Sequence, residues 1–119
     1  MIDDRSKQGW SEAVYVPGFR CETRRDGTRA TIELAGDLAI ETESEVRSAF
    51  IALLDQRLSE IVFDMRGIAF LDSSGMGLLA FAERMAAMHG VALVVSGLQA
   101  EARRALETAG LAGLFVLED

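Results

Sequence analysis

Asp72-Ser73-Ser74-Gly75-Met76-Gly77 sets an acid and two hydroxyls between an apolar strand-like run ending at Phe70-Leu71 and an apolar helix-like run. At such a corner, small polar side chains meet the first helical N–H groups, which lack partners inside the helix. The same helix end favours added negative charge, so a phosphate on Ser73 would find a receptive field. The stretch is either a helix cap or a modification site.

Other chemistry fails for want of partners. The single histidine is His89. A continuous helix from Ser73 to His89 separates the two by roughly 24 Å at 1.5 Å per residue. A Ser–His nucleophile pair is thereby excluded, and His89 reads as a helix C-terminal residue favoured by the dipole. The only lysine is Lys7, and no Gly-rich phosphate loop with its Lys-Ser/Thr occurs. Asp64 at a strand end could accept a phosphoryl group, but an acidic cluster for Mg²⁺ and a late lysine are missing. It reads instead as a strand-end acid satisfied locally. The spacing of Asp37, Asp64 and Asp72 supports no hydrolase. Cys21, the one cysteine, can form neither an internal disulfide nor a cysteine zinc site, and reads as a buried thiol on a strand. The chain is expected to be no enzyme and to need no cofactor.

The 119 residues fit one domain with a real core. With a net charge of −7, the chain is a poor match for nucleic acid or an anionic membrane. The first residues are charged without an apolar signal core, and no run approaches the ~20 residues that span a bilayer. A cytoplasmic protein is expected.

The positioning elements follow from periodicity. Residues 1–13 read as a flexible tail, and 14–119 as the domain. Ala13 to Val16 could form a short edge strand before Pro17-Gly18. Phe19–Arg25 and Thr28–Ala35 form a hairpin about Asp26-Gly27, with Ala30, Ile32 and Leu34 on one face. Thr42-Glu43-Ser44-Glu45 matches a capping box, followed by a helical stripe of Val46, Ala49, Phe50, Leu53 and Leu54. Ile61–Met65 is a short strand, and the corner helix runs to about His89 before Gly90. Val91–Val95 reads as a strand covered on both faces. A third helix spans about Gln99 to Ala109, with Ala102, Ala105, Leu106 and Ala109 inward, and Leu114–Leu117 is a last strand. Strands alternating with helices after an opening hairpin give an α/β domain: a mixed β-sheet with helices packed on it.

On the corner helix, Leu78, Leu79, Ala82, Met85 and Ala86 share the face that must pack on the sheet. Ser73, Met76, Gly77 and Ala80 project away, with Glu83 and Arg84 flanking. Ser74 points nearer the core and is the better candidate for a local backbone hydrogen bond. Gly77 costs about 1 kcal/mol in a helix interior, which suits a position where another backbone approaches closely. This outer stripe reads as a partner-binding face headed by a modifiable serine.

With the opening hairpin, Leu34-Ala35-Gly36-Asp37-Leu38 and Phe70-Leu71-Asp72-Ser73-Ser74-Gly75-Met76-Gly77, the chain resembles an anti-sigma factor antagonist, a single-domain member of the STAS family (sulphate transporter and anti-sigma factor antagonist). The resemblance runs from about Phe19 to the C-terminus and includes Leu106-Glu107-Thr108-Ala109-Gly110-Leu111. It implies a STAS-like fold and a partner-switching phosphoprotein in transcription regulation. The unmodified antagonist would bind an anti-sigma factor serine kinase, which releases it by phosphorylating Ser73. A PPM-type serine phosphatase would reset the switch, and ATP would belong to the kinase. Asp37, Asp72, Ser73, Ser74, Gly75, Met76, Gly77 and Ala80 are the partner-binding residues so implied. Family members commonly carry a further acid where this chain has Ala39. That departure leaves room for an alternative, a STAS scaffold subunit of a transporter or sensory complex that docks without phosphorylation.

Overall fold

A computed structural model describes residues 9–119. Its elements are β1 (Trp10–Val16), β2 (Phe19–Asp26), β3 (Arg29–Leu38), α1 (Glu43–Leu53), β4 (Glu60–Leu71), α2 (Ser73–Met88), β5 (Ala92–Ser96), α3 (Ala100–Thr108) and β6 (Val116–Glu118), with a 3-10 turn at Ala112–Leu114. The six strands lie in the sheet in chain order. β1, β2 and β3 form an antiparallel meander, and β3 through β6 run parallel.

Right-handed crossovers between strands that advance in one direction put all three helices on one face. A single apolar cluster agrees with this. It joins Ile32, Ile61, Phe63 and Val95 of the sheet to Val46 and Phe50 of α1, Leu78 and Leu79 of α2, and Leu106 of α3. Phe50 stacks on Phe63 and meets Phe81 edge-on, which locks α1 to both sheet and α2. The other sheet face carries a charged ladder in which Arg20 and Arg24 pair with Glu33 at 2.9 and 3.2 Å. Such part-exposed pairs contribute little stability, about 0–1 kcal/mol each.

Several expectations change. The expected tail of residues 1–13 overlaps a real strand: β1 starts at Trp10, and its pairing with β2 runs unbroken from Trp10↔Arg25 to Val16↔Phe19. Ser11 and Glu12 hid it by diluting the apolar signal, although alternate residues of an edge strand tolerate polarity. Residues 1–8 of that tail lie outside the described residues. β4 continues well past Met65, to Leu71. Gly67 permits this, because a Cβ there would lie 2.7 Å from the Leu34 carbonyl oxygen and 2.8 Å from the Ala35 Cβ. The β3–β4 register shifts on either side of Gly36, after Glu33 and again before Asp37.

The expected capping box is also absent. Thr42 stands at the N-cap of α1 but makes no side-chain cap bond. Its hydroxyl donates instead to the Asp37 carbonyl at 2.6 Å and accepts from the Ala39 N–H at 3.1 Å. Closing the turn between β3 and α1 takes the hydroxyl that the cap would have used.

Arg25 points into the helix-covered side and is buried. Its Nε donates to the Gly27 carbonyl at 2.8 Å and a terminal nitrogen to Gln56 Oε1 at 3.0 Å. The side chain thus clamps the β2–β3 turn to the loop after α1. Cys21 is buried as expected, and burial together with the nearby Glu45 charge pushes its thiol up to about 11.

Candidate functional site

The corner at residues 72–77 is assembled by one carboxylate. Asp72 leaves β4 in an extended conformation and caps α2, its Oδ1 accepting from the Gly75 N–H at 2.9 Å. Its Oδ2 accepts from the Ile40 N–H at 3.2 Å. The Asp72 N–H in turn donates to the Leu38 carbonyl at 3.3 Å. The start of α2 and the loop after β3 are therefore one tied ledge. Gly75 completes the tie, since a Cβ there would collide with the Leu38 carbonyl oxygen and press on a Leu71 methyl.

The expected site residues separate on this ledge. Ser73 is the first residue of α2 and is exposed, with no side-chain hydrogen bond among the described residues. Gly77 is exposed too, and Ala80 is half-buried farther along the same stripe. Gly77 has nothing within 4 Å of where a Cβ would stand, so the fold itself does not need glycine there. Asp37 is exposed and pairs in register with Phe70, which brings it to the same end of the sheet.

Three assignments are corrected. Gly75 is buried, so it positions the ledge and presents nothing to a partner. Ser74 is half-buried and makes no side-chain hydrogen bond among the described residues; Asp72 is the residue that caps the helix. Met76 turns sideways: it is half-buried and lines an open groove with Ala105, Thr108 and Ala109 of the α3 segment, where Ala109 was expected inward.

Two exposed apolar residues near this corner escaped the sequence reading. Ile40 and Phe70 are 70 % and 53 % exposed, large apolar side chains in the turn after β3 and near the end of β4. Ile40 touches the ledge through its N–H to Asp72, and Phe70 lies two residues before it in sequence. The available signal was an apolar residue in a turn and an apolar residue out of phase with its buried neighbours Ile68 and Leu71. Ala39 is buried, its peptide adjoining Ile40 beside the Asp72 carboxylate.

The remaining candidates stay apart. His89 caps the far end of α2, its Nδ1 2.9 Å from the Met85 carbonyl. Asp64 Oδ1 accepts from the Arg66 N–H at 3.1 Å, the local satisfaction expected of it. Among the described residues no group of three or more His, Cys, Asp or Glu side chains could hold a metal ion. No described helix is long and apolar enough to cross a membrane.

The arrangement defines a class: a sheet in chain order, helices on one face, and an exposed serine opening the second helix. The family model described as "Mlab, STAS domain" matches residues 21–118, and the chain belongs to that STAS family. No curated protein matches the chain in sequence. Among solved structures, an anti-sigma factor antagonist from Mycobacterium paratuberculosis superposes with a TM-score of 0.76 at 19 % identity, covering 88 % of this chain and 90 % of that one. The phosphorylated form of the Bacillus cell fate determinant SpoIIAA gives 0.61 at 17 %, covering 91 % and 90 %. A sulfate transporter family protein from Wolinella succinogenes gives 0.70 at 17 %, covering 77 % of each chain. At these identities the likeness is one of fold.

Proposed function

We propose that the chain is an anti-sigma factor antagonist of the STAS family, acting in the cytoplasm as a non-enzymatic, partner-switching phosphoprotein. Unphosphorylated, it binds an anti-sigma factor serine kinase through Ser73, Gly77 and Ala80, with Asp37 and Met76 at the margins. Ile40 and Phe70 supply the apolar contact beside the serine. The observation that carries this reading is the placement of Ser73, exposed at the first position of α2 directly after the Asp72 cap.

Phosphorylation adds about −1.5 to −2 charges at a helix N-terminus, which the domain itself tolerates. Across a desolvated interface an unpaired charge costs several kcal/mol. Even ~3 kcal/mol weakens binding by roughly a hundredfold. Local repulsion is sufficient for release, and a PPM-type serine phosphatase would reverse it.

The test incubates the protein with ATP and the candidate anti-sigma kinases of the same genome, then maps phosphate by mass spectrometry. Phosphate on Ser73 and loss of kinase binding in Ser73→Glu are expected. An unmodified Ser73 together with binding indifferent to Ser73→Glu would reject the switch.

A second reading draws on the family description and on Ala39. It is a STAS subunit that docks on a transporter or sensory complex through the same ledge without phosphorylation. Under it, Ile40→Ala and Phe70→Ala abolish docking while kinases leave Ser73 untouched.

A further inference from the structure

We infer that β1 pairs edge to edge with the β1 of a second copy of this chain, antiparallel about a two-fold axis at Ala13. The inference is independent of the function proposed for the α2 ledge.

The two edges of the sheet are built differently. β6 is three residues long and ends on the acid Glu118, with Asp119 next, a short charged edge of the kind that resists pairing. β1 has seven residues, Trp-Ser-Glu-Ala-Val-Tyr-Val, with no proline, lysine, glycine or bulge. Among the described residues no strand pairs with its outer side. From Ser11 to Val16 every residue is exposed, and Val14, Tyr15 and Val16 keep 38, 67 and 37 % of their surface. Even the side turned toward the helices is uncovered at Val14. A long, exposed edge of this kind, apolar from Ala13 to Val16, is a template for another strand.

The sequence of β1 suits its own copy. About Ala13, a two-fold pairing sets Trp10 opposite Val16, Ser11 opposite Tyr15, and Glu12 opposite Val14. All seven residues pair, the lone charge never meets itself, and an aromatic and a β-branched side chain face each other at both ends, a favourable cross-strand combination. Charge permits the approach. Although the chain carries −7, the meander from Trp10 to Leu38 holds four arginines against five acids. The acidity that would hold two copies apart lies mainly away from this edge.

Ala13→Lys separates the dimer from the fold. Within one chain Ala13 lies opposite Glu22, so the new lysine gains an opposite charge there. Across the two-fold it meets itself. Sedimentation equilibrium of the full chain is expected to show a concentration-dependent dimer. Ala13→Lys should weaken it roughly tenfold with an unchanged or raised Tm, and Ala13→Val should preserve it. Amide exchange in β1 should slow as concentration rises. Two results overturn the inference: a monomer at every concentration, with β1 protection independent of concentration, or a dimer indifferent to Ala13→Lys.

Discussion

Gly75 and Gly77 stand two residues apart on α2 and are glycine for opposite reasons: the first is closed over by the Leu38 carbonyl, the second faces open space. Replacing Gly77 with alanine should therefore stabilise the isolated domain by about 0.5–1 kcal/mol, read as a higher denaturant midpoint. The same methyl should weaken partner binding, measured by calorimetry or surface capture. Stabilisation with undiminished binding would remove Gly77 from the interface.

Gly75→Ala should act in reverse. Overpacking against Leu38 and Leu71 costs about 1–3 kcal/mol, and the ledge must shift to relieve it. A lower Tm is expected, with faster amide exchange at Ile40, whose N–H depends on that ledge.

Asp72 holds both sides of the ledge, so Asp72→Ala should cost about 1–2 kcal/mol in chemical unfolding. Asp72→Asn retains an oxygen for the Gly75 N–H and should recover part of the loss. A phosphate or Ser73→Glu at the neighbouring position should leave stability unchanged or raise it by ~0.3–1 kcal/mol at low ionic strength. Marked destabilisation by either would indicate that release works through unfolding of α2.

Arg25→Ala leaves the Gly27 carbonyl and Gln56 without their charged donor and opens a buried volume. A loss of ~2–4 kcal/mol is expected in urea titrations. Arg25→Lys should rescue little, because one ammonium cannot span two acceptors set by a planar fork.

The Cys21 thiol, raised by burial from its ordinary value near 9 to about 11, stays protonated when folded. The unfolded chain releases this proton first. The thiol's contribution to stability is thus fully present below about pH 9 and is lost as pH rises through about 11. Reaction with a thiol reagent at neutral pH should be slow and should accelerate with denaturant; Cys21→Ser should flatten the alkaline fall.

Periodicity in the sequence reveals α2 and its packing face, because Leu78, Leu79, Ala82 and Ala86 repeat at a helical spacing and all are buried. The Asp26-Gly27 turn is equally direct, Gly27 adopting the positive φ of 63° that such a turn requires. What stayed hidden depends on tertiary contact. Thr42 closes a turn because the Asp37 carbonyl arrives there, and no local pattern announces that. The second half of β4 exists because Gly67 lets β3 approach. At the site, Asp72 and Ser73 were legible from their types and order. Ile40 was not, since its place beside the Asp72 carboxylate is fixed by one hydrogen bond to a distant part of the chain.

Because the strands occupy the sheet in the order in which they are synthesised, each has its neighbour already emerged when it leaves the ribosome. Growth is by addition to one side, with no strand inserted between two others and no early segment waiting for a late partner. The meander can fold first and serve as the template for β4. The Asp72 tie closes as soon as the first turns of α2 appear, well before β5 and β6 are made. The serine is therefore displayed on a platform of the first four strands while the chain is still nascent.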